Sequence, residues 1–381
     1  MQTVLSFTAK LMTIIWFTEN YPPNQGGMAR SCDRIISNLR MYHTIHIYHF
    51  TNKFKPFITT ANNNGTYTSV PIFEDNSHSL NILWAYISQQ EQVLNSSVIV
   101  SYGSHLALKG LPLISKWLEK PLLTCIRGND FDNVIFSQKK QDLLYALKHS
   151  AAIACVSKEK EKRIKTMVVN KPVYFTPNSI HFSDWTILKS DINLANKLKQ
   201  NITNEKTIIG LIGYLKQKKG VDFFINTLQK SVLRNSVHLR IVGEIEPHIE
   251  AMLITKDIPY SKALPTSKTQ LIANYLLCDA IAIPSIYDGM PNVLFEAATL
   301  NIPIIASKAG GIPDVLSNET AFLFNTLSEI SLLETLSEYK AIETELRIKK
   351  SIALKKHIKD NFSPTQETNN YLNIFKNITK V

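Results

Sequence analysis

Asp288 and Glu296 stand eight positions apart at a junction that reads as strand, loop and helix. The apolar run Ile281-Ala282-Ile283 ends at Pro284, Gly289 sits in the loop, and a helix is expected to open at Pro291. Proline costs little at the first helical position, because its missing N–H would have no partner there anyway. The next N–H groups, of Asn292, Val293 and Leu294, are expected to point out of the helix start, where the macrodipole adds positive potential. Together they would form a backbone anion site bracketed by two acids. An ordinary strand-loop-helix with a solvated acid at each end fits the same spacing.

Two further stretches carry similar chemistry. A strand near 206–212 enters a loop in which Lys216, Lys218 and Lys219 cluster, and Gly220 opens a helix. Lysines at a strand-to-helix crossover suit phosphate, although a solvated turn has the same composition. The order is not that of a Walker loop, which needs Gly-Lys-Ser/Thr. In Tyr21-Pro22-Pro23-Asn24-Gln25-Gly26-Gly27 the paired glycines would let a ligand approach the backbone closely, or serve only as a flexible turn.

These loops need elements to position them. Strands are predicted near 12–18, 44–50, 97–101, 121–126, 151–156 and 172–176, then near 206–212, 237–242, 279–283 and 303–306. Amphipathic helical patterns lie between them, among them 28–41, 76–94, 133–149, 221–233, 267–277, 291–300 and about 327–357. Continuous apolar strands alternating with helices imply parallel sheets covered on both faces. There are too many units for one ordinary sheet, so the expectation is α/β with two doubly wound domains. Pro177-Asn178 closes the first half, and polar residues 183–205 read as a linker. The domains are therefore expected at 1–182 and 206–361.

Composition bounds the partners. Of 381 residues, 44% are apolar and 19% charged, which is enough material for globular cores. Only 13 glycines, 16 prolines and 4 cysteines exclude collagen-like, low-complexity and disulfide-framework classes. Lys and Arg total 42 against 31 Asp and Glu, a net +11 that favours an anionic partner. A nucleic acid is not expected, since no recognition motif or basic–aromatic interleaving is present. Cys32, Cys125, Cys155 and Cys278 lack metal-ligand spacing and read as buried thiols of a reducing, cytoplasmic compartment. No run reaches the ~18 apolar residues of a membrane span. The apolar stretch Leu11–Phe17 has no basic residue before Lys10 and no cleavage site after it, so it reads as a first strand rather than a signal peptide. Residues 1–11 are expected to be an extension, with Met12 an alternative start.

In their order, these pieces resemble glycosyltransferase family 4, whose GT-B fold has two facing Rossmann-like domains. The resemblance rests on Gly26-Gly27 after the first strand, the turn Pro177-Asn178-Ser179, Gly213-Tyr214-Leu215-Lys216-Gln217-Lys218-Lys219-Gly220, and Val242-Gly243-Glu244. It rests most on Pro284-Ser285 through Glu296, with seven residues between the two acids, followed by Gly310-Gly311-Ile312-Pro313-Asp314. Phe362-Ser363 and the last helix resemble the family's tail, which returns to the first domain, here 362–381. Three residues depart from the pattern. Asp288 stands in place of Glu, Tyr214 in place of Arg, and Arg127 in place of the His that many members have before Gly. Lys216 or Lys218 could substitute for the missing arginine, although an ammonium does not reproduce a guanidinium fork.

The resemblance implies an enzyme of the hexosyltransferase class that moves a sugar from a nucleotide-sugar with retention and without a cofactor or metal. Lys219 and the helix start at 291–294 would stabilise the departing diphosphate. Glu296 would accept hydrogen bonds from ribose hydroxyls, and Asp288 would hold hydroxyls of the donor sugar. The backbone of Gly289, Met290, Pro291 and Asn292, with Val293, would line the sugar and phosphates beside Gly213 and Gly243. Gly26 and Gly27 would approach the same phosphates from the first domain. Arg127, at the carboxyl end of a first-domain strand, would face the sugar or an acceptor phosphate, or else pair with Asp130 at the surface.

The acceptor is expected to be a saccharide or a lipid-linked molecule used in surface polysaccharide, lipopolysaccharide or glycolipid synthesis. Lys158, Lys160, Lys162, Arg163, Lys165 and Lys171, with Arg30 and Arg34, suggest a peripheral contact with an anionic membrane surface. A solvated basic face is the alternative. Two other functions fit the same motifs: a nucleotide-sugar 2-epimerase of this fold, and a non-catalytic transferase-like binding protein.

Overall fold

The computed structural model describes residues 11–53, 56–202 and 206–379. The expected extension therefore lies almost wholly outside the described residues. The chain divides into two compact units. One comprises residues up to Pro177 together with those from Pro364 onward, and the other is Asn178–Ser363.

The first unit holds β1 (Thr13–Thr18), β2 (Thr44–Thr51), β3 (Ile58–Ala61), β4 (Gly65–Pro71), β5 (Val98–Tyr102), β6 (Leu122–Ile126), β7 (Ala152–Cys155) and β8 (Val173–Phe175). Their order across the sheet is β3-β4-β2-β1-β5-β6-β7-β8. All pairings are parallel except β3 with β4. Alternation along β1 serves both faces. Ile14 and Trp16 enter one core with the helix Gly27–Leu39, while Ile15 and Phe17 enter another with Leu83, Leu106 and Ile114.

The hairpin of β3 and β4 was not anticipated. Every residue of β3 is exposed, so it lacks the apolar run that marks a buried strand. The signal for it was the turn: Asn64 has φ 46 and Gly65 φ 148, and a Cβ on Gly65 would meet the Ile45 carbonyl oxygen at 1.9 Å.

The last helix, Pro364–Thr379, belongs to the first unit. Tyr371, Ile374 and Phe375 are buried in the same core as Ile14 and Trp16. Each such side chain contributes about 1.5–3 kcal/mol by burial.

The second unit holds β9 (Thr207–Ile212), β10 (Val237–Val242), β11 (Tyr260–Ala263), β12 (Ala280–Ile283), β13 (Ile304–Ser307) and β14 (Phe322–Phe324). Its sheet is fully parallel, in the order β11-β10-β9-β12-β13-β14. That is the doubly wound dinucleotide-binding order, with the reversal between β9 and β12. The edge strands β11 and β14 are short and escaped the apolar-run criterion.

The stretch read as a linker contains structure. A 3-10 turn at Phe182–Trp185 and a helix at Lys189–Lys199 belong to the second unit, and the helix packs against Lys268–Leu276. Residues 203–205 lie outside the described residues. The long helical pattern at 327–357 is two helices, Glu329–Ala341 and Thr344–Asn361.

Candidate donor site of the second unit

In an open parallel sheet, ligands collect at the carboxyl ends of strands where the strand order reverses. The loops at that position in the second unit are those after β9 and β12. They carry the lysine cluster and the two acids.

The loops are tied by backbone contacts. The Ile286 N–H donates to the Lys218 carbonyl at 2.8 Å. Gly220 has φ 63, and a Cβ there would meet the Pro284 carbonyl oxygen at 2.1 Å. Only glycine combines that left-handed conformation with so close an approach. The consequence is that Lys219 Nζ lies 2.5 Å from Asp288 Oδ2.

Asp288 is held on both oxygens. Oδ1 accepts from the Gly289 N–H at 2.8 Å, and Oδ2 also lies 3.4 Å from Ser285 Oγ. Burial pushes its carboxyl up. The charges of Lys219 and Lys218 and the hydrogen bonds from Lys219 and Gly289 oppose it, and the net pKa is below the ordinary value. Asp288 is thus an anion committed to Lys219 in this structure. Gly310 braces the loop from behind. It has φ 52, and a Cβ on it would meet the Asp288 carbonyl oxygen at 1.8 Å. The Gly311 N–H donates to the Gly289 carbonyl at 2.8 Å.

The other lysines are differently engaged. Lys216 Nζ lies 4.4 Å from the centroid of the Tyr214 ring, and Lys218 Nζ 5.8 Å from that of Tyr287. Tyr214 is half exposed and presents its ring to Lys216 where an arginine was expected. Gly213 has φ 110 with open space around it. Gly243 has φ 125, and its missing Cβ makes room for the Gly213 carbonyl oxygen, 2.3 Å from where that atom would sit.

Pro291 is the residue before the helix, with φ −70 and ψ 129, and the helix itself is Asn292–Thr299. The sequence reading placed Pro291 one position too far in. Moreover, the Leu294 N–H donates to the Pro291 carbonyl at 3.2 Å, so the helix start offers fewer donors than expected. Lys219, Ser285, Pro291 and Val293 line one small cleft with Leu215 and Pro284. Met290 is buried, and its carbonyl accepts from Asn178 Nδ2 at 2.7 Å. Glu296 is buried within the helix and accepts from the Tyr275 hydroxyl at 2.6 Å. The roles of Asn178 and Tyr275 were not foreseen. Tyr275 falls in an apolar helical pattern, and its only signal was that a buried phenol needs a partner.

The first unit places its candidates by themselves. Gly26 has φ 120 and precedes the helix that Gly27 opens. Asn24 secures the turn, with its Nδ2 3.0 Å from the Glu19 carbonyl oxygen and 3.1 Å from His49 Nε2. Arg127 is buried, which overturns the alternative of a surface pair with Asp130. Asp130 instead accepts from the N–H groups of Arg127, at 3.0 and 2.8 Å, and of Gly128, at 2.6 Å. The Arg127 guanidinium donates to the Thr176 carbonyl at 3.1 Å and lies 3.5 Å from the Tyr371 hydroxyl. Burial works against its charge, but Tyr102, Tyr371 and Glu367 hold its pKa above the ordinary value.

The charge argument for a membrane contact changes. Arg34 forms a two-pronged pair with Glu367, at 2.9 and 2.8 Å, inside the first unit. Lys160 is buried against Asp132 at 3.0 Å, and Arg163 and Lys165 pair with Glu159 and Glu161 one turn away. All four cysteines are buried thiols, with Cys125 pushed up to about 12 by burial. No described helix is long and apolar enough to cross a membrane.

Comparison with known proteins finds a family match within the second unit. Residues 206–339 match the family model Glycosyl transferases group 1. The second unit carries a group 1 glycosyltransferase domain. Both strapped loops, with Lys219, Asp288 and Glu296, fall inside the matched stretch. The phosphatidylinositol N-acetylglucosaminyltransferase GPI3 subunit of Saccharomyces cerevisiae is 26% identical over 200 residues, covering 50% of this chain and 42% of that protein. The matched stretches span less than half the length of this and other curated glycosyltransferase relatives. Solved structures extend the fold to nearly the full length of the chain. Sucrose-phosphate synthase from Thermosynechococcus elongatus has TM-score 0.80 at 12% identity, covering 96% of this chain and 98% of that one. Anabaena Alr3699/HepE in complex with UDP-glucose has TM-score 0.75 at 12% identity, covering 96% and 100%. The fold of the chain is GT-B, with two Rossmann-like units.

Proposed function

We propose that this chain is a retaining glycosyltransferase that moves a sugar from a nucleotide-sugar to a saccharide or lipid-linked acceptor. The observation that carries the reading is the Lys219–Asp288 contact of 2.5 Å in the loops where the sheet order reverses. As the bond from the anomeric carbon to the donor phosphate breaks, negative charge develops on the diphosphate. Lys219 and the helix start at Asn292 are fixed beforehand to meet it, so little reorganisation is needed at the moment of reaction. Asp288 orients Lys219 and offers its remaining acceptor capacity to the donor sugar. Glu296 receives the ribose, and Arg127 supplies a fixed cation at the carboxyl end of β6 for an acceptor. Binding of UDP-glucose by a protein of the same fold supports a nucleotide-sugar donor.

The acceptor belongs to polysaccharide, lipopolysaccharide or glycolipid synthesis, on the cytoplasmic side of a membrane. A name such as phosphatidylinositol N-acetylglucosaminyltransferase among the relatives supports a lipid-linked acceptor. In the 158–171 segment Lys160, Arg163 and Lys165 are paired with acids, so a second surface suits that membrane better. Lys116 Nζ lies 5.9 Å from the Tyr145 ring centroid, joining the helices His105–Trp117 and Lys140–His149. Their outer sides expose Leu113, Lys116, Trp117, Tyr145 and Lys148. Aromatic rings with lysines between them suit an anionic interface better than lysines already paired with acids.

A thermal-shift screen of nucleotide-sugars tests the donor reading, because a ligand at 100 times its Kd adds about 2.7 kcal/mol of stability. Free nucleotide released only when acceptor is added identifies a transferase. Sugar interconversion without acceptor would identify an epimerase, which none of the comparisons supports. Binding without turnover would leave a non-catalytic protein.

A further inference from the structure

Glu296 is buried, and its Oε2 has a strong partner. The Tyr275 hydroxyl donates to Oε2 at 2.6 Å, the short distance expected of a hydroxyl bonded to a carboxylate. Tyr275 is itself fixed. It lies on the helix Lys268–Leu276, is fully buried, and meets the Trp185 ring edge-on, with centroids 5.7 Å apart and planes at 88°. Lys268, two turns earlier on the same helix, places its ammonium 3.1 Å from the centroid of that indole. Trp185 is thereby held between two residues of one helix. It comes from the short turn Phe182–Trp185, just after the residue where the second unit begins.

We infer that Tyr275 is the positioning residue of Glu296, and that Trp185 locks Tyr275 in turn. A glutamate on a helix has three side-chain torsions, and a carboxylate that must meet two adjacent hydroxyls needs them fixed before the ligand arrives. The phenol does this by occupying Oε2 from the side of the protein and directing the carboxylate's remaining acceptor capacity to the ligand. The same segment also acts just before that helix, where Asn178 holds the Met290 carbonyl. Residues 178–185 thus brace the stretch from Met290, ahead of the helix Asn292–Thr299, to Glu296 within it. The inference rests on the proposed role of Glu296 as the ribose acceptor, and it adds the residue that makes that role selective.

The test separates the two claims. Affinities of UDP and its 2′,3′-dideoxy analogue are measured by calorimetry for wild type, Tyr275→Phe and Glu296→Gln, with the GDP pair run alongside. Wild type should prefer the ribose form by about tenfold or more, the loss expected when a hydrogen bond to a charged group is missing. Glu296→Gln should bring the ratio near one. Tyr275→Phe should stay folded, with a thermal midpoint lowered only as far as the loss of one buried hydrogen bond requires, yet lose most of the ratio, with the dideoxy analogue bound as in wild type. If Tyr275→Phe keeps the wild-type ratio while Glu296→Gln loses it, the positioning role is wrong and the ribose reading stands. If Glu296→Gln also keeps it, the ribose reading fails and the inference falls with it. A merely structural tyrosine would weaken both ligands equally, and that result also overturns the proposal.

Discussion

Lys219 and Asp288 meet at 2.5 Å although they lie 69 positions apart in the sequence. The contact exists because Gly220 lets the lysine loop press against the Pro284 carbonyl and Gly310 lets a second loop press against that of Asp288. In the proposed function, a cation and an anion held in this way would meet a ligand that carries both phosphate and sugar hydroxyls.

Lys219→Ala should lower kcat by about 10²–10³, the usual loss for one donor aimed at developing charge. Lys218→Ala should cost less, since Lys218 acts on Asp288 through its charge, and Lys216→Ala least, since Lys216 rests on Tyr214. Steady-state kinetics of the three variants checks the order. A crippled Lys216→Ala with an active Lys219→Ala would contradict the assignment.

Asp288 should make stability depend on acid. Its folded pKa is depressed below the ordinary 3.8, so its contribution is complete above that value and disappears as pH falls through the folded pKa. Asp288→Asn should therefore be less stable than wild type near neutrality by roughly 1–3 kcal/mol, the range for charge-assisted hydrogen bonds. The gap should close as pH drops below the ordinary value. Urea unfolding at pH 7 and pH 3 gives the comparison, and a gap of equal size at both would contradict the ion pair.

Gly310→Ala and Gly26→Ala should separate space from conformation. Both glycines have positive φ, but a Cβ at Gly26 has nothing within 4 Å while one at Gly310 meets the Asp288 carbonyl oxygen at 1.8 Å. Gly26→Ala should cost only the strain of its backbone, about 1–3 kcal/mol. Gly310→Ala should cost more and should also weaken nucleotide-sugar binding by moving Asp288. Thermal midpoints and donor affinities of the two variants decide it.

Turnover should survive EDTA. The proposed site meets the diphosphate with Lys219 and the helix start, and the Asp-x-Asp of the sequence, Asp130-Phe131-Asp132, is engaged elsewhere: Asp130 by the Arg127 and Gly128 N–H groups and Asp132 by Lys160. Loss of turnover in chelator, restored by Mg²⁺ or Mn²⁺, would falsify this.

Binding to anionic vesicles should depend on the outer sides of His105–Trp117 and Lys140–His149. Replacing Lys116 and Lys148 by Glu should weaken it by about 1 kcal/mol or more per lysine. Replacing Lys162 and Lys165 by Glu should change it much less. Co-sedimentation at rising salt with phosphatidylserine and with neutral vesicles checks both statements, and equal binding to the two vesicle types would rule the surface out.

The two Rossmann-like units were legible in the sequence because buried parallel strands are continuous apolar runs, and Ile14–Phe17 or Ile208–Ile212 can hardly be anything else. So were the loops that carry Lys219, Asp288 and Glu296, since glycine, proline and charge cluster there. The exposed β3 and polar β11 carry no such run and β14 only a very short one, Ala321–Phe324, and neighbours in the sheet hold them in place. Likewise, residues 183–202 looked like a linker because their polar surface hides one packed face.

What only the tertiary structure decided is which partner each charge takes. Lys219 reaches Asp288, Arg34 reaches Glu367 across 333 positions, and Tyr275 reaches Glu296. Lysines 216, 218 and 219 are the same residue type within four positions, so local sequence cannot tell them apart. The backbone of the strand that precedes them and the glycines that follow aim one at the carboxylate and the others at aromatic rings. Apolar periodicity is a local property and survives in the sequence. The direction and desolvation of a charge are properties of the packed fold, because they depend on residues brought together from distant parts of the chain.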